Sequence, residues 1–209
     1  MAVTKTRPAS DVVALASLGV GDVGENKDQE ARAKHAEVGE AGDVPALRWH
    51  LVGQLQSNKA NSVARYAAAV HSLDRAKLVA ALDRGVNRAS SARERTASGR
   101  LEVFVQVSLD GDPDRGGAVP ADVPALADAV AAAQYLDLAG VMAVAPAGWE
   151  AERAFADLAA VAAAVRQQHP TATGISAGMS GDLEAAIAAG STHVRVGSAL
   201  LGSRPPLLG

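Results

Sequence analysis

The chain has no cysteine among its 209 residues, and aromatic residues make up only 3% of the sequence. The lack of cysteine excludes disulfide bonds, thiolate metal sites and a cysteine nucleophile. Long apolar runs are also missing, since none approaches the roughly 18–20 residues that a membrane-spanning helix requires. We therefore expect no membrane protein, and a core built mainly from alanine and other aliphatic side chains.

Charge of one sign is not in excess either. The sequence holds 20 lysines and arginines against 23 aspartates and glutamates, and it contains no block of like charge. Because nucleic acids and anionic lipids are bound by concentrated positive charge, neither is expected as a partner. The opening residues MAVTK leave no room for the charged and apolar regions of a secretory signal, which predicts a cytoplasmic protein.

What the sequence does have is a regular alternation of short β-branched runs and Ala-, Leu- and Glu-rich helical stretches. The predicted strands are 2–4, 20–24, 49–52, 69–71, 101–108, 138–144, 173–176 and 192–196. The predicted helices are 9–18, 27–37, 59–66, 75–86, 120–134, 150–168 and 181–188, with a last turn at 198–201. This repeated pattern, with no shift in composition, predicts one α/β domain over 1–209, a (β/α)₈ TIM barrel. A doubly wound open sheet is the alternative.

A lysine follows the first predicted strand. In a barrel, functional groups lie where strands end and the following loops begin. Burying the ammonium group of Lys5 there is costly unless it is paired or neutral, and a desolvated lysine with a lowered pKa is a nucleophile that forms Schiff bases. The alternative is a solvated lysine on the N-terminal segment.

Two turns of small residues follow the seventh and eighth predicted strands, each in front of a predicted helix. One turn contains Ser176, Met179 and Ser180, and the other contains Gly197 and Ser198. Either turn alone is equally typical of an ordinary helix cap, but barrels often bind phosphate at this pair of positions. A lysine that forms Schiff bases and a phosphate site together predict binding of pyridoxal 5′-phosphate (PLP).

Other strand ends carry polar groups that suit an aromatic ring. Asn26 follows the second predicted strand and His50 lies in the third. Both could form hydrogen bonds with a polar ring. Met142, in the sixth, is by itself more typical of a core residue. The five histidines show no metal-ligand spacing, so no metal site is predicted.

Six segments, taken in order, resemble the PLP homeostasis proteins, the YggS/PROSC family. They are VTKTRP (3–8), GENKDQE (24–30), WHLVGQLQSNK (49–59), GVMA (140–143), SAGMSGD (176–182) and AAGSTHVRVGSA (188–199). The family is similar to the barrel domain of alanine racemases without their second domain. The resemblance implies a monomeric PLP-binding barrel in vitamin B6 homeostasis, with no established turnover. Such a protein holds PLP as a Schiff base and donates it, so free amino acids and apo PLP-enzymes become possible partners.

The resemblance also implies roles for individual residues. Lys5 matches the Schiff-base lysine, and the matched cofactor-binding positions are Lys5, Asn26, His50, Met142, Ser176, Met179, Ser180, Arg195, Gly197 and Ser198. Arg195 is expected to face the pyridine nitrogen, a salt bridge to a nearby carboxylate being the alternative. Family members carry an N-terminal helix and a longer first strand ahead of the lysine, whereas four residues precede Lys5 here.

Two enzymatic functions compete with a PLP carrier. A PLP-dependent amino-acid racemase needs a second base on the ring face opposite Lys5. Tyr66 and Tyr135 are the only tyrosines, and both fall in predicted helices away from strand ends. A Schiff-base aldolase acting on sugar phosphates would use the lysine and the phosphate site without a bound cofactor.

Overall fold

Seven parallel strands and their connecting helices make up the part of the chain that the computed structural model describes, residues 1–97, 99–112 and 115–202. The strands are β1 Ala2–Val3, β2 Asp22–Glu25, β3 Arg48–Leu51, β4 Ala69–Leu73, β5 Leu101–Gln106, β6 Leu136–Met142 and β7 Gly174–Ser176. The helices are α1 Ala9–Ser17, α2 Asp28–Glu40, α3 Ala60–Tyr66, α4 Ala76–Ser91, α5 Val123–Ala131, α6 Ala151–Gln168, α7 Leu183–Ala188 and α8 Ser198–Leu201. The predicted α/β class is therefore confirmed.

Each strand pairs with the next strand along the chain, so the sheet order is β1 to β7. The predicted eighth strand, 192–196, is not a continuous strand. It forms one bridge to β7 at Ser176 and His193, and one to β1 at Ala2 and Val196. Its ladder is irregular because the amides of two successive residues, Thr192 and His193, both donate to the carbonyl of Ile175.

Backbone hydrogen bonds nevertheless continue from β7 through residues 192–196 to β1. The N–H of Val3 donates to the carbonyl of Val196 at 2.8 Å, and the Val196 N–H donates to the carbonyl of Met1 at 3.1 Å. The amino group of Met1 donates to the carbonyl of Val194 at 3.0 Å. The two ends of the chain therefore meet, and the loops that follow β1 and the 192–196 segment lie side by side.

The main core lies between the sheet and the helices. On α4, Leu78, Leu82 and Val86 recur every four residues and are fully buried, which places one apolar stripe of the helix on the sheet. Phe104 of β5 instead belongs to a separate interior cluster with Ala69 and Met142. None of the helices in the described ranges is long and apolar enough to cross a membrane.

The bounds of several helices differ from the predicted ones. The predicted helix 120–134 is a short 3₁₀ helix at Pro120–Asp122 followed by α5, which ends at Ala131. The predicted helix 75–86 continues to Ser91, since nothing in residues 87–91 breaks a helix. The predicted helix 181–188 begins too early, because α7 starts at Leu183.

Gly140 allows β6 and β7 to approach each other closely. Its φ is +152°, and a Cβ atom there would lie 1.8 Å from the carbonyl oxygen of Gly174. We expect Gly140→Ala to lower the free energy of unfolding by about 3 kcal/mol, because the two backbones must separate. Urea unfolding followed by circular dichroism measures this.

Gly39, on the exposed face of α2, is the matched control because a Cβ atom there meets no atom within 4 Å. Gly39→Ala should leave the free energy of unfolding unchanged or raise it by up to about 1 kcal/mol, since alanine favours helix. Equal unfolding midpoints for the two variants would contradict the close-approach argument.

Candidate functional site

A cavity of about 510 Å³ lies at the carboxyl ends of the strands. Eight of the ten predicted site residues line it: Lys5, Asn26, Met142, Met179, Ser180, Arg195, Gly197 and Ser198. The wall is completed by residues that the sequence prediction did not single out: Val3, Thr6, Arg7, Val52, Gly53, Val144, Gly181, Leu201 and Gly202. All nine lie within four positions of a predicted residue, and Thr6 and Gly181 directly neighbour one, so proximity in sequence was the available signal.

Lys5 lies half-buried in the turn between β1 and α1, and hydrogen bonds fix the backbone on both sides of it. The carbonyl oxygen of Thr4 accepts a hydrogen bond from Lys34 Nζ at 2.6 Å. Thr6 has a φ of +65°, a left-handed conformation that is uncommon for a β-branched residue, and its N–H donates to the Glu30 carboxylate. The turn that carries Lys5 is thus held by α2.

A buried ion cluster on β2 and α2 provides these hydrogen bonds. Lys34 Nζ lies 2.8 Å from Glu25 Oε1 and 2.7 Å from Glu30 Oε1, and the Thr4 hydroxyl donates to Glu25 Oε1 at 2.6 Å. Burial raises the pKa of Glu25, while the hydrogen bonds from Lys34 and Thr4 oppose that rise. The cluster was not predicted, although the i,i+4 spacing of Glu30 and Lys34 on a predicted helix was a signal for part of it.

Arg195 is a buried cation on the cavity wall. Its Nη1 donates to the carbonyl oxygen and the hydroxyl of Ser176 at 2.8 and 2.9 Å, and its Nη2 donates to the carbonyl of Ala143 at 2.9 Å. Burial lowers the pKa of Arg195 to about 10, an effect that Asp182 partly offsets. Within the described ranges no carboxylate forms a salt bridge with Arg195, and Nε–H has no acceptor, so donors remain for a ligand in the cavity.

The two predicted small-residue turns meet at the cavity. The hydroxyls of Ser180 and Ser198 lie 3.3 Å apart, and the N–H of Ala199 lies 3.3 Å from Ser180 Oγ. Helix α7 begins at Leu183 and not next to Ser180, so hydroxyl groups and turn amides, rather than two helix N-termini, form this corner. Gly197 presents its backbone to the cavity without a side chain.

His50 and Ser176 do not line the cavity, whereas His50 was expected beside the ring and Ser176 in the turn that contains Ser180. Both are buried, and the polar atoms of their side chains bond to groups of the barrel interior. The two ring nitrogens of His50 contact Asp22 and His71, and the Ser176 hydroxyl contacts His71 and Arg195. Sequence reasoning did not find His71, whose only signal was its position in a predicted strand of apolar residues.

The described cavity wall carries three basic side chains, Lys5, Arg7 and Arg195, and no acidic one. Tyr66 is buried at the end of α3, where its hydroxyl donates to Asp28 at 3.3 Å, and burial raises its pKa. Tyr135 precedes β6, at the opposite end of the strand from the cavity. Within the described residues, no three histidines or carboxylates form a group that could hold a metal ion.

Comparison with known proteins gives matches over nearly the whole chain. Residues 1–205 match the family described as alanine racemase, N-terminal domain. The pyridoxal phosphate homeostasis protein of Corynebacterium glutamicum is 48% identical over 203 residues, which are 97% of this chain and 89% of that protein.

Solved structures agree with these matches. PipY of Synechococcus elongatus with PLP bound has a TM-score of 0.84 at 35% identity, covering 97% of this chain and 91% of that chain. Alanine racemase of Corynebacterium glutamicum has a TM-score of 0.72 at 16% identity, covering 100% of this chain and 57% of that chain, which shows a shared fold. Fold and cavity thus define the class of alanine racemase N-terminal domains. Within that class the chain belongs to the family of pyridoxal phosphate homeostasis proteins, as the sequence resemblance indicated.

The ion cluster behind Lys5 predicts a stability effect. Lys34→Met leaves the Glu25 carboxylate buried without its cation, and we expect the free energy of unfolding to fall by about 3–5 kcal/mol. The double variant Lys34→Met/Glu25→Leu removes both buried charges and should lose less than Lys34→Met alone. Urea unfolding of the unaltered protein, Lys34→Met, Glu25→Leu and the double variant measures the four free energies.

Lys77→Met, an exposed lysine on α4, is the control and should change the free energy of unfolding by less than about 0.5 kcal/mol. If the double variant loses as much as the sum of Lys34→Met and Glu25→Leu, the two side chains are not energetically coupled.

Proposed function

We propose that this chain binds PLP in the cavity at the carboxyl ends of its strands and acts in intracellular PLP homeostasis by holding and donating the cofactor. The observation that carries the proposal is that one cavity combines Lys5, the hydroxyls of Ser180 and Ser198, and a buried Arg195 with free donors. The relative PipY, 35% identical, has been solved with PLP bound.

The residues present fit the chemistry of PLP. When bound, PLP supplies an aldehyde that condenses with a primary amine and releases water. Lys5 would supply that amine from a turn whose backbone is fixed by Lys34 and Glu30. The hydroxyls of Ser180 and Ser198 would donate to the phosphate group.

Arg195 would donate a hydrogen bond to the ring nitrogen. Since a guanidinium has no acceptor, the ring nitrogen must itself be the acceptor and therefore unprotonated. An unprotonated ring withdraws electrons less strongly than a protonated one. The arrangement therefore favours holding the cofactor over stabilising a carbanion on it.

A carrier fits the cavity better than a racemase does. Racemisation needs a second base on the ring face opposite Lys5, and the described lining has no histidine, tyrosine or carboxylate. An amine can instead replace Lys5 in the bond to the aldehyde, with transfer of PLP to a free amino acid or to the lysine of an apo-enzyme. The proposal includes a cytoplasmic location, and a monomer because the sequence resemblance implies one.

Lys5 is expected to form the covalent bond to PLP. Titration of the protein with PLP should change the absorbance spectrum of the cofactor, and borohydride reduction followed by peptide mass spectrometry should find the modification on Lys5. Lys5→Ala should abolish both signals. Lys59→Ala is the control, because Lys59 is exposed and lies outside the cavity wall, and modification of Lys27 or Lys59 would refute the assignment.

The carrier function is tested by transfer. Protein loaded with PLP is incubated with an apo PLP-enzyme, and separately with single enantiomers of several amino acids. We expect the apo-enzyme to regain activity and the amino acids to remain unconverted. Racemisation, transamination or decarboxylation at enzymatic rates, lost in Lys5→Ala, would establish an enzyme in place of a carrier.

A further inference from the structure

A line of polar side chains crosses the barrel interior from the cavity wall to the amino end of β2. Arg195 Nη1 lies 2.9 Å from Ser176 Oγ, which lies 2.9 Å from His71 Nδ1. His71 Nε2 lies 2.9 Å from His50 Nδ1, and His50 Nε2 lies 2.8 Å from Asp22 Oδ1. We call these five side chains the interior relay. Four of its members are buried, and the Asp22 side chain is 47% exposed.

If both histidines are neutral, the end groups determine the direction of every hydrogen bond in the interior relay. A carboxylate only accepts, so Asp22 requires a proton on His50 Nε2. In neutral His50 the other nitrogen then accepts from His71 Nε2–H. Neutral His71 in turn accepts from the Ser176 hydroxyl, whose oxygen remains free to accept from Arg195. All donors point from Arg195 toward Asp22.

Electrostatics favour the neutral state of the central histidine. Burial lowers the pKa of His71 well below its ordinary value, and nearby His50 and Arg195 lower it further. At the far end, the hydrogen bond from His50 lowers the pKa of Asp22, which Arg48 lowers further and burial opposes. The charged and titratable groups around the relay are Arg48, Glu102, Asp182, His193 and the amino group of Met1.

Packing fixes the middle of the interior relay. The ring of His71 stacks on Phe104 with centroids 4.2 Å apart and planes 11° from parallel. Phe104 in turn lies against Gly174, where a Cβ atom would be 2.6 Å from the Phe104 ring. His71 therefore has one ring orientation, which presents one nitrogen to Ser176 and the other to His50.

We propose that His71 and Asp22 are positioning residues for Arg195. The ordered interior relay holds Ser176 as an acceptor for Arg195, and so keeps the guanidinium aimed at the ring nitrogen of a cofactor that neither His71 nor Asp22 touches. The proposal rests on the proposed function, PLP binding in the cavity. It predicts that a change at the exposed end of the barrel alters recognition of one atom of the ligand.

Asp22→Ala is the informative variant because Asp22 is half-exposed and absent from the cavity wall. We expect it to weaken PLP binding about tenfold, the loss typical of one hydrogen bond to a charged group. Affinity for a carbocyclic PLP analogue, in which C–H replaces the ring nitrogen, should not change. Asp22→Asn, whose amide oxygen still accepts from His50, should bind PLP within about threefold of the unaltered protein.

Asp137→Ala is the matched control, because Asp137 is also an exposed carboxylate near the start of a strand, paired with Arg100 at 2.9 Å. It should leave both affinities unchanged.

A second measurement needs no ligand: ¹⁵N chemical shifts of the free protein should show His50 and His71 protonated at Nε2 only. Ser176→Ala should reproduce the selective loss of affinity while leaving His50 in that state.

The outcomes distinguish a failure of the proposed PLP binding from a failure of the positioning role. If the unaltered protein does not bind PLP, the proposed function fails. If it binds PLP but Asp22→Ala behaves like Asp137→Ala, or weakens PLP and the carbocyclic analogue equally, the positioning role is refuted. Protonation of either histidine at Nδ1 in the free protein at neutral pH, or equal losses in Asp22→Asn and Asp22→Ala, would also refute it.

Discussion

The site depends on the backbone pairing that joins the two ends of the chain. Hydrogen bonds between residues 1–3 and residues 194–196 place β1 beside the segment that carries Arg195. Lys5 follows one side of this pairing, and Gly197 and Ser198 follow the other. Groups almost 200 positions apart in sequence thereby share one cavity, and the same pairing replaces the continuous eighth strand that a regular barrel would have.

The polar groups on the cavity wall were mostly predictable, whereas those behind it were not. Strand ends in a barrel converge on one face, so the chemistry of Lys5, Ser180 and Ser198 could be assigned from their places after predicted strands. The contact of His71 with both His50 and Ser176 depends on how strands β3, β4 and β7 are staggered around the barrel. That stagger is not encoded in local periodicity, so His50 was expected beside the ring and is found in the interior.

Buried charge is used in two different ways in this fold. Lys34 is surrounded by Glu25 and Glu30, so its cost of burial is met by local ion pairs, and the result is a fixed turn at Lys5. Arg195 is bonded only to neutral oxygens, and the carboxylate of the interior relay, Asp22, is three side chains away. In the first arrangement Lys34 has three acceptors without a ligand, while the second leaves donors on a cation that a ligand can satisfy.

On the proposed function, the donors left on Arg195 favour holding a cofactor over turning over a substrate. Because little water competes with a ligand at the largely buried Arg195, a ligand acceptor there would gain more than it would at a surface. Racemisation would require a further group that moves protons on the opposite face, and the described wall has no histidine, tyrosine or carboxylate for that role. On the proposed function, affinity would come from groups that bind the two ends of the ligand, and release would need only an amine that competes with Lys5.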